Sequence, residues 1–422
     1  MVGKRLRTVP LPAMSTTRTK PSRTLRQWRN AVFTIFALCG FVFATWASRV
    51  PAVRDLLHAT TQEMGFLILG MSAGSIVGVI AASHIVARLG ATRTILWLYG
   101  AVSVAMIVLG PIVTFVPAFL PIFLVLIVLG GASVVDVAMN LSGAANERAI
   151  GRTIMPLFHA AFSGGTVAGA GLGALLAGLG VPMGVHFSAV GVFALVTTLV
   201  LVRFLQPAEH AEEEGAEPAP SGWRSRLVVW RDPRVLLIGA IVLGMAFAEG
   251  SANDWLGLAM VDGHGFDNAG GAAVLSVFLA AMTAGRIGGV FLLDRFGRVP
   301  VLRWSAAFAV AGLLLVIFVP NDVIAIAGVV LWGLGASLGF PVGMSAAADD
   351  PRTATATVGA VATIGYTAFL VGPPLIGLIG EHTGVLHALL VVLTLIVVAG
   401  FASGAAREPG AVRRPVPAEG AQ

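Results

Sequence analysis

Cysteine, tyrosine and charged side chains are scarce in this chain of 422 residues. The one cysteine, Cys39, excludes an internal disulfide and any cysteine-rich metal site. Charged residues make up only 11% of the chain and hydrophobic residues 57%, whereas a soluble protein carries about 25% charged residues. Because so few charges cannot cover a water-exposed surface of this size, the composition excludes an ordinary soluble enzyme, a disordered chain and a secreted disulfide scaffold.

Motifs for nucleotide, metal and nucleophile chemistry are also missing. The sequence has no phosphate-binding loop ending in Gly-Lys-Ser or Gly-Lys-Thr, no H-E-x-x-H motif and no nucleophile motif. Residues Gly169–Ala174 match the dinucleotide fingerprint by letter, but no strand precedes them and no acidic residue follows about 20 positions later. We therefore expect no enzymatic activity, no cofactor, no metal and no use of ATP.

Long apolar runs fill the chain instead. They are apolar all round, unlike the striped helices of soluble proteins, and they lack the period of two of outer-membrane barrel strands. Since a helix needs about 20 apolar residues to cross a bilayer, they predict an all-α polytopic membrane protein with twelve transmembrane helices. The predicted spans are 31–53, 64–87, 94–115, 118–145, 154–179, 184–205, 234–258, 270–292, 301–319, 322–347, 354–379 and 383–404.

Lysine and arginine predict the orientation of these spans. If the N-terminus is inside, 24 of the 27 Lys and Arg residues lie on the inner side, two (Arg49 and Arg54) lie outside, and Arg286 lies within a span. This asymmetry predicts an even number of spans with both termini in the cytoplasm. The basic tail then determines topology, and we expect no nucleic-acid partner. No cleaved signal peptide is expected, and Met14 is an alternative start to Met1.

The twelve spans divide into two similar halves. We predict a basic tail at 1–30, a six-helix bundle at 31–205, a polar linker at 206–233, a second bundle at 234–405 and a tail at 406–422. The loop after span 2 carries Arg88 and Gly90, and the loop after span 8 reads Asp294-Arg295-Phe296-Gly297-Arg298. Gly90 and Gly297 are 207 positions apart, while Trp46 and Trp255 are 209 apart. Such a nearly constant offset indicates a duplicated unit.

This arrangement resembles the major facilitator superfamily. The linker between six and six spans and the D-R-x-G-R loop are typical of that family. Three segments, Asp136–Asn140, Phe158–Ser163 and Glu249–Trp255, are similar to a poorly characterised bacterial permease group related to the fucose-permease type of sugar transporter. The resemblance implies two pseudo-symmetric bundles with a solute site between them. It also implies an inner latch at the loops, stronger at Asp294, Arg295 and Arg298 than at Arg88, because Ala87 replaces the acid in the first half.

Ionisable groups inside the spans are the candidate functional residues, since each costs about 2.5 kcal/mol or more at the centre of a bilayer. A rise of about 1.5 Å per residue places Glu249 and Arg286 about 10 Å apart in depth, which disfavours a direct pair. We therefore expect Arg286 to pair with Asp136 or His159, and Arg49 with Glu249 or Asp254. The inner layer comprises Asp136, Asn140, His159 and Arg286, and the outer layer Trp46, Arg49, Glu249, Asn253, Asp254 and Trp255.

The chemistry of these residues suggests three roles: proton coupling, gating and substrate binding. Asp136 and Glu249 are the proton-coupling candidates, because a carboxyl group that alternates between a dry site and a site beside a cation can carry a proton. Arg49 and Asp254 are outer-gate candidates. The candidates for the substrate cavity are Asn140, His159, Asn253, Arg286 and Trp332. The alternatives are structural ion pairs for the two carboxylates and a backbone hydrogen bond for His159. Trp46 and Trp255 are expected to be interfacial anchors, with stacking on a sugar or a flat ligand as the alternative.

The expected function is secondary active transport of a small solute by alternating access. The favoured form is proton-coupled uptake of a sugar or metabolite by a monomer embedded in lipid. Metabolite or drug efflux by proton antiport is the alternative, and a non-transporting membrane sensor of the same fold is a further one. The expected partners are therefore a small-molecule solute, protons and membrane lipid.

Overall fold

The computed structural model of the protein describes residues 22–151, 154–206, 229–350 and 353–408. The basic tail before residue 22, with Met14, lies outside the described residues, as do most of the predicted linker and the end of the C-terminal tail. The described residues form helices that run back and forth through one bundle. No cis peptide bond or strand occurs among these described residues.

Eleven continuous helical stretches of the described residues are long and apolar enough to cross a membrane. One of them, Thr61–Phe115, has 55 residues, about twice the length that a bilayer requires. Its backbone leaves the helical conformation at Gly90, where φ is 74° and ψ is 160°, and this turn separates spans 2 and 3. The chain therefore has twelve spans, and the predicted fold class is confirmed.

The first half comprises spans 1 to 6. Two of its spans consist of consecutive helices with a short break between them, and span 3 begins with one π-helical segment. The helices are Arg23–Ala47 and Val50–Leu57 (span 1), Thr61–Thr94 (span 2 and the turn), Ile95–Tyr99 and Gly100–Phe115 (span 3), Phe119–Gly130 and Ala132–Ile150 (span 4), Met155–Gly178 (span 5), and Met183–Leu201 with Val202–Phe204 (span 6).

The second half repeats this order in spans 7 to 12. A short helical turn, Val229–Arg231, precedes it. The helices are Pro233–Ser251, Ala252–Leu256 and Gly257–His264 (span 7), Asn268–Phe296 (span 8), Arg298–Phe318 (span 9), Asp322–Ala336 and Gly339–Ala347 (span 10), Ala354–Thr383 (span 11), and Val385–Ala388, Leu390–Ala402 and Ser403–Ala406 (span 12). The middle segment of span 7, Ala252–Leu256, is a π-helix.

The two halves meet along spans 2 and 11 and along spans 5 and 8. We name the side of the bundle that carries residues 22, 206, 229 and 408 the tail side, and the opposite side the far side. Near the far side, a Cβ on Gly65 of span 2 would lie 2.8 Å from the carbonyl oxygen of Pro373 in span 11. Likewise, the Ser276 hydroxyl of span 8 donates to the Val167 carbonyl of span 5 at 3.3 Å. The far-side ends of the halves are thus in direct contact.

Glycines let spans 1 and 5 approach backbone to backbone. A Cβ on Gly165 would lie 1.9 Å from the Ala37 carbonyl oxygen, and a Cβ on Gly40 would lie 2.1 Å from the Phe162 carbonyl oxygen. Membrane helices gain stability from such close packing, because lipid tails are as apolar as leucine and there is little hydrophobic drive between the helices. The neighbouring Gly164 has nothing within 4 Å of its Cβ position.

Replacing Gly165 with Ala is expected to destabilise the protein by roughly 1–3 kcal/mol, because the added methyl group meets rigid backbone. Gly164→Ala is the matched control, and it should be neutral or slightly stabilising, since Ala favours a helix by about 1 kcal/mol over Gly. Thermal unfolding of the detergent-solubilised variants, followed by size-exclusion chromatography, measures the difference. Equal melting temperatures for the two variants would contradict this account of the interface.

Candidate functional site

Asp136 occupies the middle of span 4 and is exposed, although Val134, Val135 and Ala138 around it on the same helix are buried. Asn140 lies one turn further along the helix. Its side-chain amide donates to the Asp136 carboxylate at 3.2 Å and to the Asp136 carbonyl oxygen at 2.8 Å. The amide thus orients a carboxylate that faces open space rather than packed side chains, as expected of a cavity residue.

His159 brings span 5 to the same place. The imidazole is exposed, and its edge contacts the ring of Phe36 in span 1, with the two centroids 5.3 Å apart. It interacts electrostatically with Asp136 of its own half and with Arg286 of the other half. The polar groups of the two halves therefore face each other across one space.

Glu249 of span 7 and Arg286 of span 8 form an ion pair. One guanidinium nitrogen, Nη2, donates to both Glu249 carboxylate oxygens at 2.9 Å, and the Arg286 Nε approaches the Ser337 carbonyl oxygen of span 10 at 3.4 Å. The expectation that depth separates these two residues was therefore wrong, as was the pairing of Arg286 with Asp136 or His159. A long arginine side chain extends several ångströms along its helix, and a depth counted on the backbone ignores that reach.

Tyr366 of span 11 is a site residue that the sequence did not single out. Its side chain is exposed and interacts electrostatically with Asp136 across the two halves. Thr363 and Thr367 flank it on the same helix and are exposed as well. Two features of the sequence could have pointed to Tyr366. It is one of two tyrosines in the chain, and it lies between two threonines in an apolar span.

The π-helix of span 7 holds two further candidates. Asn253 and Asp254 are both partly buried, and the Asn253 side-chain oxygen has no hydrogen-bond partner within the part of the chain that the structure describes. A π-helix inserts an extra residue into a helical turn and frequently occurs at functional sites. Asn253 therefore lies one turn beyond Glu249 with an acceptor still available.

The three tryptophans that the sequence singled out, Trp46, Trp255 and Trp332, lie in the interior rather than in the roles expected of them. Trp332 is fully buried and packs edge to face on Phe278, with centroids 5.3 Å apart. It therefore does not face a cavity, which corrects its assignment as a cavity residue. Trp46 and Trp255 are also fully buried and are not interfacial anchors. Their apolar rings fill the space between helices, which single-sequence reasoning does not distinguish from an interface position.

Arg49 forms its hydrogen bonds with residues of the first half. It is 5% exposed; its Nε donates to His186 Nδ1 of span 6 at 3.2 Å, and an Nη reaches the Val181 carbonyl oxygen at 3.5 Å. The expected pairing of Arg49 with Glu249 or Asp254 was therefore wrong, and Arg49 does not bridge the halves in this structure. Glu249 is held by Arg286 instead.

Other residues bridge the halves at the far side. Arg54 of span 1 forms an ion pair with Asp262 of span 7. The Asn268 amide donates to the Asp55 carboxylate at 2.9 Å. A third contact joins the Gln62 backbone N–H of span 2 to Glu381 of span 11 at 3.1 Å. We call the Arg54–Asp262 and Asp55–Asn268 contacts the far-side bridge.

Charged groups also cluster at the tail side of the second half. Arg298 pairs with Asp349 at 2.7 Å and donates to the Ser345 hydroxyl at 3.0 Å, and Arg234 pairs with the same Asp349 at 2.8 Å. These contacts join spans 7, 9 and 10, so the carboxylate of Asp349 fixes the tail-side ends of three helices.

The two repeated loops share a backbone conformation. Gly90 and Gly297 have φ values of 74° and 77°, a left-handed region that favours glycine, which gives the duplicated motif a physical reason. Arg295 lies over the Phe296 ring at 5.5 Å. The remaining loop candidates, Arg88 and Asp294, are exposed, and the unequal strength of an inner latch stays a prediction.

The chain matches known proteins over most of its length. The family model described as Major Facilitator Superfamily matches residues 32–368 and 256–421. An uncharacterized transporter, y4wD, of Sinorhizobium fredii is 31% identical over 366 residues, which cover 85% of this chain and 92% of that protein.

Solved structures show the same fold at low identity. An inward-facing bacterial homolog of the lysosomal transporter Spinster has a TM-score of 0.73 at 14% identity and covers 93% of this chain and 100% of that one. The E. coli fucose:proton symporter has a TM-score of 0.57 at 15% identity and covers 90% and 100%. From its twelve spans and these matches, the chain belongs to the Major Facilitator Superfamily of membrane transporters.

Proposed function

We propose that this protein is a proton-coupled secondary transporter that carries a small neutral solute across the bacterial cytoplasmic membrane by alternating access. The distribution of Lys and Arg supports a topology with both termini in the cytoplasm, so that the tail side is cytoplasmic. One chain supplies both halves and the whole space between them, which supports a monomer as the transporting unit.

The observation that carries this proposal is the net charge of the space between the two halves, which we call the central space. Two carboxylates, Asp136 and Glu249, and one guanidinium, Arg286, meet there among the described residues, beside His159. With the histidine neutral, they sum to one negative charge. Closing a cavity around an uncompensated charge is costly, because water no longer solvates it. One proton bound at Asp136 removes that charge and lets the cavity close.

Asp136 is better suited than Glu249 to bind that proton. The Glu249 carboxylate is occupied by two 2.9 Å contacts to the Arg286 guanidinium. Asp136 accepts one hydrogen bond from a neutral amide and is exposed to the cavity. Glu249 therefore serves to hold Arg286 in place, and it becomes available to a proton only when that pair opens.

Neutral hydrogen-bonding groups surround the charges. Asn140, His159 and Tyr366 present an amide, an imidazole and a hydroxyl group toward the central space. Thr363 lies on the same helix face as Tyr366, and its hydroxyl donates to the Gly359 carbonyl oxygen at 2.8 Å. Such groups suit a polyhydroxylated solute, because each hydroxyl of the solute can both donate and accept a hydrogen bond. A sugar or polyol taken up with a proton fits this set. An organic cation exported in exchange for protons would also neutralise the single negative charge.

Contacts at the far side support the conformation in which the cavity opens to the cytoplasm. The far-side bridge and the contact of Gly65 with Pro373 close the extracellular end, while Asp136 and His159 are exposed. In the opposite conformation the far-side bridge must break. It therefore acts as the extracellular gate in place of the expected pair, Arg49 and Asp254.

Replacing Arg54 with Gln is expected to shift the population toward the conformation that opens outward. Because the pair is partly exposed, its contribution to the free energy is small, and we expect the ratio of outward-open to inward-open protein to rise roughly twofold to fivefold. A reporter, Ser276→Cys in a Cys39→Ser background, should then react faster with a membrane-impermeant maleimide added outside. Arg93→Gln, which removes an exposed cation from the tail side, is the control. An unchanged reaction rate in the Arg54 variant would show that this pair is not a gate.

Transport itself is tested in liposomes that contain the purified protein and an imposed pH gradient. A panel of neutral sugars and polyols, organic acids and organic cations is offered on the outside or loaded inside. Uphill accumulation of a neutral solute driven by an inward proton gradient supports symport. Export of an organic cation in exchange for entering protons would instead show that the protein is an antiporter. If the pH gradient changes the movement of none of the solutes in the panel, the proposal of proton coupling is wrong.

A further inference from the structure

A groove on the outer surface of the bundle separates spans 9 and 12 near the tail side. It encloses about 420 Å³ and faces away from the central space. Its walls are apolar except at one end, where a single arginine stands. The lining residues are Arg303, Ala306, Ala307 and Val310 of span 9 with Val397, Gly400 and Phe401 of span 12.

Small residues create the groove. A Cβ on Gly400 would lie 3.1 Å from the Ala306 Cβ, so the two helices approach closely at its floor. Phe401 is 86% exposed and projects from span 12 as one wall. A concave strip of alanine and glycine beside an exposed ring suits a flexible hydrocarbon chain, because such a chain gains contact area there that a flat helix surface does not provide.

Arg303 gives the groove a polar end. Its guanidinium Nε donates to the Ser403 hydroxyl at 3.2 Å, which holds the group at the mouth of the groove. Within the described residues no carboxylate forms an ion pair with it. Five residues from the helix start at Arg298, it lies about 7.5 Å below the tail-side end of span 9. With the helix start at the outer edge of the headgroup region, which is about 5–8 Å thick, this depth corresponds to the boundary between the phosphates and the acyl chains.

The first half has no equivalent arginine. The positions 207 to 209 residues before Arg303 are Thr94, Ile95 and Leu96. The corresponding spans, 3 and 6, do form a larger groove of about 800 Å³, but it lies toward the far side and no charged residue lines it. The basic groove is therefore a feature of the second half rather than a by-product of the duplicated fold.

We propose that this groove binds an anionic phospholipid of the tail-side leaflet, which is the cytoplasmic leaflet in the proposed orientation. One acyl chain lies along Ala306, Val310 and Gly400, and the phosphate accepts hydrogen bonds from the guanidinium of Arg303. Arginine suits this role because its planar group donates in pairs to phosphate oxygens. A basic group at this depth in a pocket between membrane helices favours anionic over zwitterionic headgroups.

Lipid binding is tested on the purified full-length protein by native mass spectrometry and by thermal unfolding. The protein is titrated with phosphatidylglycerol, with phosphatidylcholine of the same chains, or with inorganic phosphate. We expect retained phosphatidylglycerol and a raised melting temperature with that lipid alone. Arg303→Gln should weaken retention by about fivefold, and Arg303→Lys should restore part of it. Ala307→Phe, which fills the groove and keeps the charge, should also reduce retention.

Arg203→Gln is the matched control, because Arg203 is an exposed arginine at the tail-side end of span 6. It should leave retention unchanged. If Arg203→Gln and Arg303→Gln lose the same amount of retained phosphatidylglycerol, the lipid responds to general surface charge and the proposed site is wrong. Stabilisation by inorganic phosphate equal to that by the lipid would also overturn the site, as would full retention in both Arg303→Gln and Ala307→Phe.

Discussion

Replacing Asp136 with Asn is expected to abolish solute accumulation driven by a pH gradient. The amide has nearly the same shape as the carboxylate and keeps a partner in Asn140, but it neither binds nor releases a proton. The central space then has no net charge in either conformation, so its closure no longer depends on a proton. We expect the initial rate of gradient-driven uptake to fall at least ~10-fold, which corresponds to about 1.4 kcal/mol of lost coupling.

Exchange of the solute between two equal pools should continue in this variant. Exchange requires binding and alternation but no net movement of protons, and a permanently neutral cavity can still close. The rate of this exchange should also no longer depend on pH. Loss of exchange together with accumulation would indicate that Asp136 binds the solute directly instead of coupling it to protons.

The control removes a carboxylate from the same protein outside the cavity. Asp322 is exposed in the first turn of span 10 at the far side, and Asp322→Asn should retain both accumulation and exchange. His159→Asn tests the remaining titratable group. If gradient-driven accumulation survives in Asp136→Asn and fails in His159→Asn, the imidazole and not the carboxylate carries the proton.

The fold was predictable from the sequence because hydrophobic length is a one-dimensional property. Twelve apolar runs are sufficient to count the spans, and a single feature, the left-handed turn at Gly90, separates spans 2 and 3 in the long Thr61–Phe115 segment. The duplicated loops at Gly90 and Gly297 were found from spacing alone, and their matching φ values give that spacing its reason.

Most members of the candidate site could be singled out from the sequence, but their pairs could not. Asp136, Asn140, His159, Glu249 and Arg286 stand out because ionisable or amide groups in apolar spans are costly. Which of them meet depends on helix tilt and on side-chain length, and neither is encoded in a count of residues. Tyr366 was missed because a hydroxyl on an aromatic ring is a weak signal, and Trp332 was misassigned because burial of a ring depends on its neighbours.

Arg49 shows the same limit at the far side. The sequence indicates a cation near the outer end of span 1, and the nearest carboxylates by depth are Glu249 and Asp254. The structure instead gives it His186 and a backbone carbonyl. Arg54, five residues later, makes the contact with the other half. One and a half turns of helix decide which arginine faces the interface.

Removing one member of the Glu249–Arg286 pair is expected to destabilise the protein. For a fully buried pair the loss is about 3–5 kcal/mol, because the remaining charge has no partner. Here the side chains are 19% and 32% exposed, so water screens part of the loss, and we expect roughly 1–3 kcal/mol for Glu249→Gln or Arg286→Gln. Thermal unfolding in detergent measures both single variants, with Asp322→Asn again as the control.

The double variant Glu249→Gln with Arg286→Gln separates a structural role from a coupling role. Both charges disappear together, so no unpaired charge remains, and most of the stability should return. The net charge of the central space is unchanged at minus one, because the pair summed to zero. If Asp136 alone carries the proton, the double variant therefore still accumulates solute against its gradient. A stable double variant that exchanges solute but no longer accumulates it would place the proton on Glu249 and make the opening of this ion pair the coupling step.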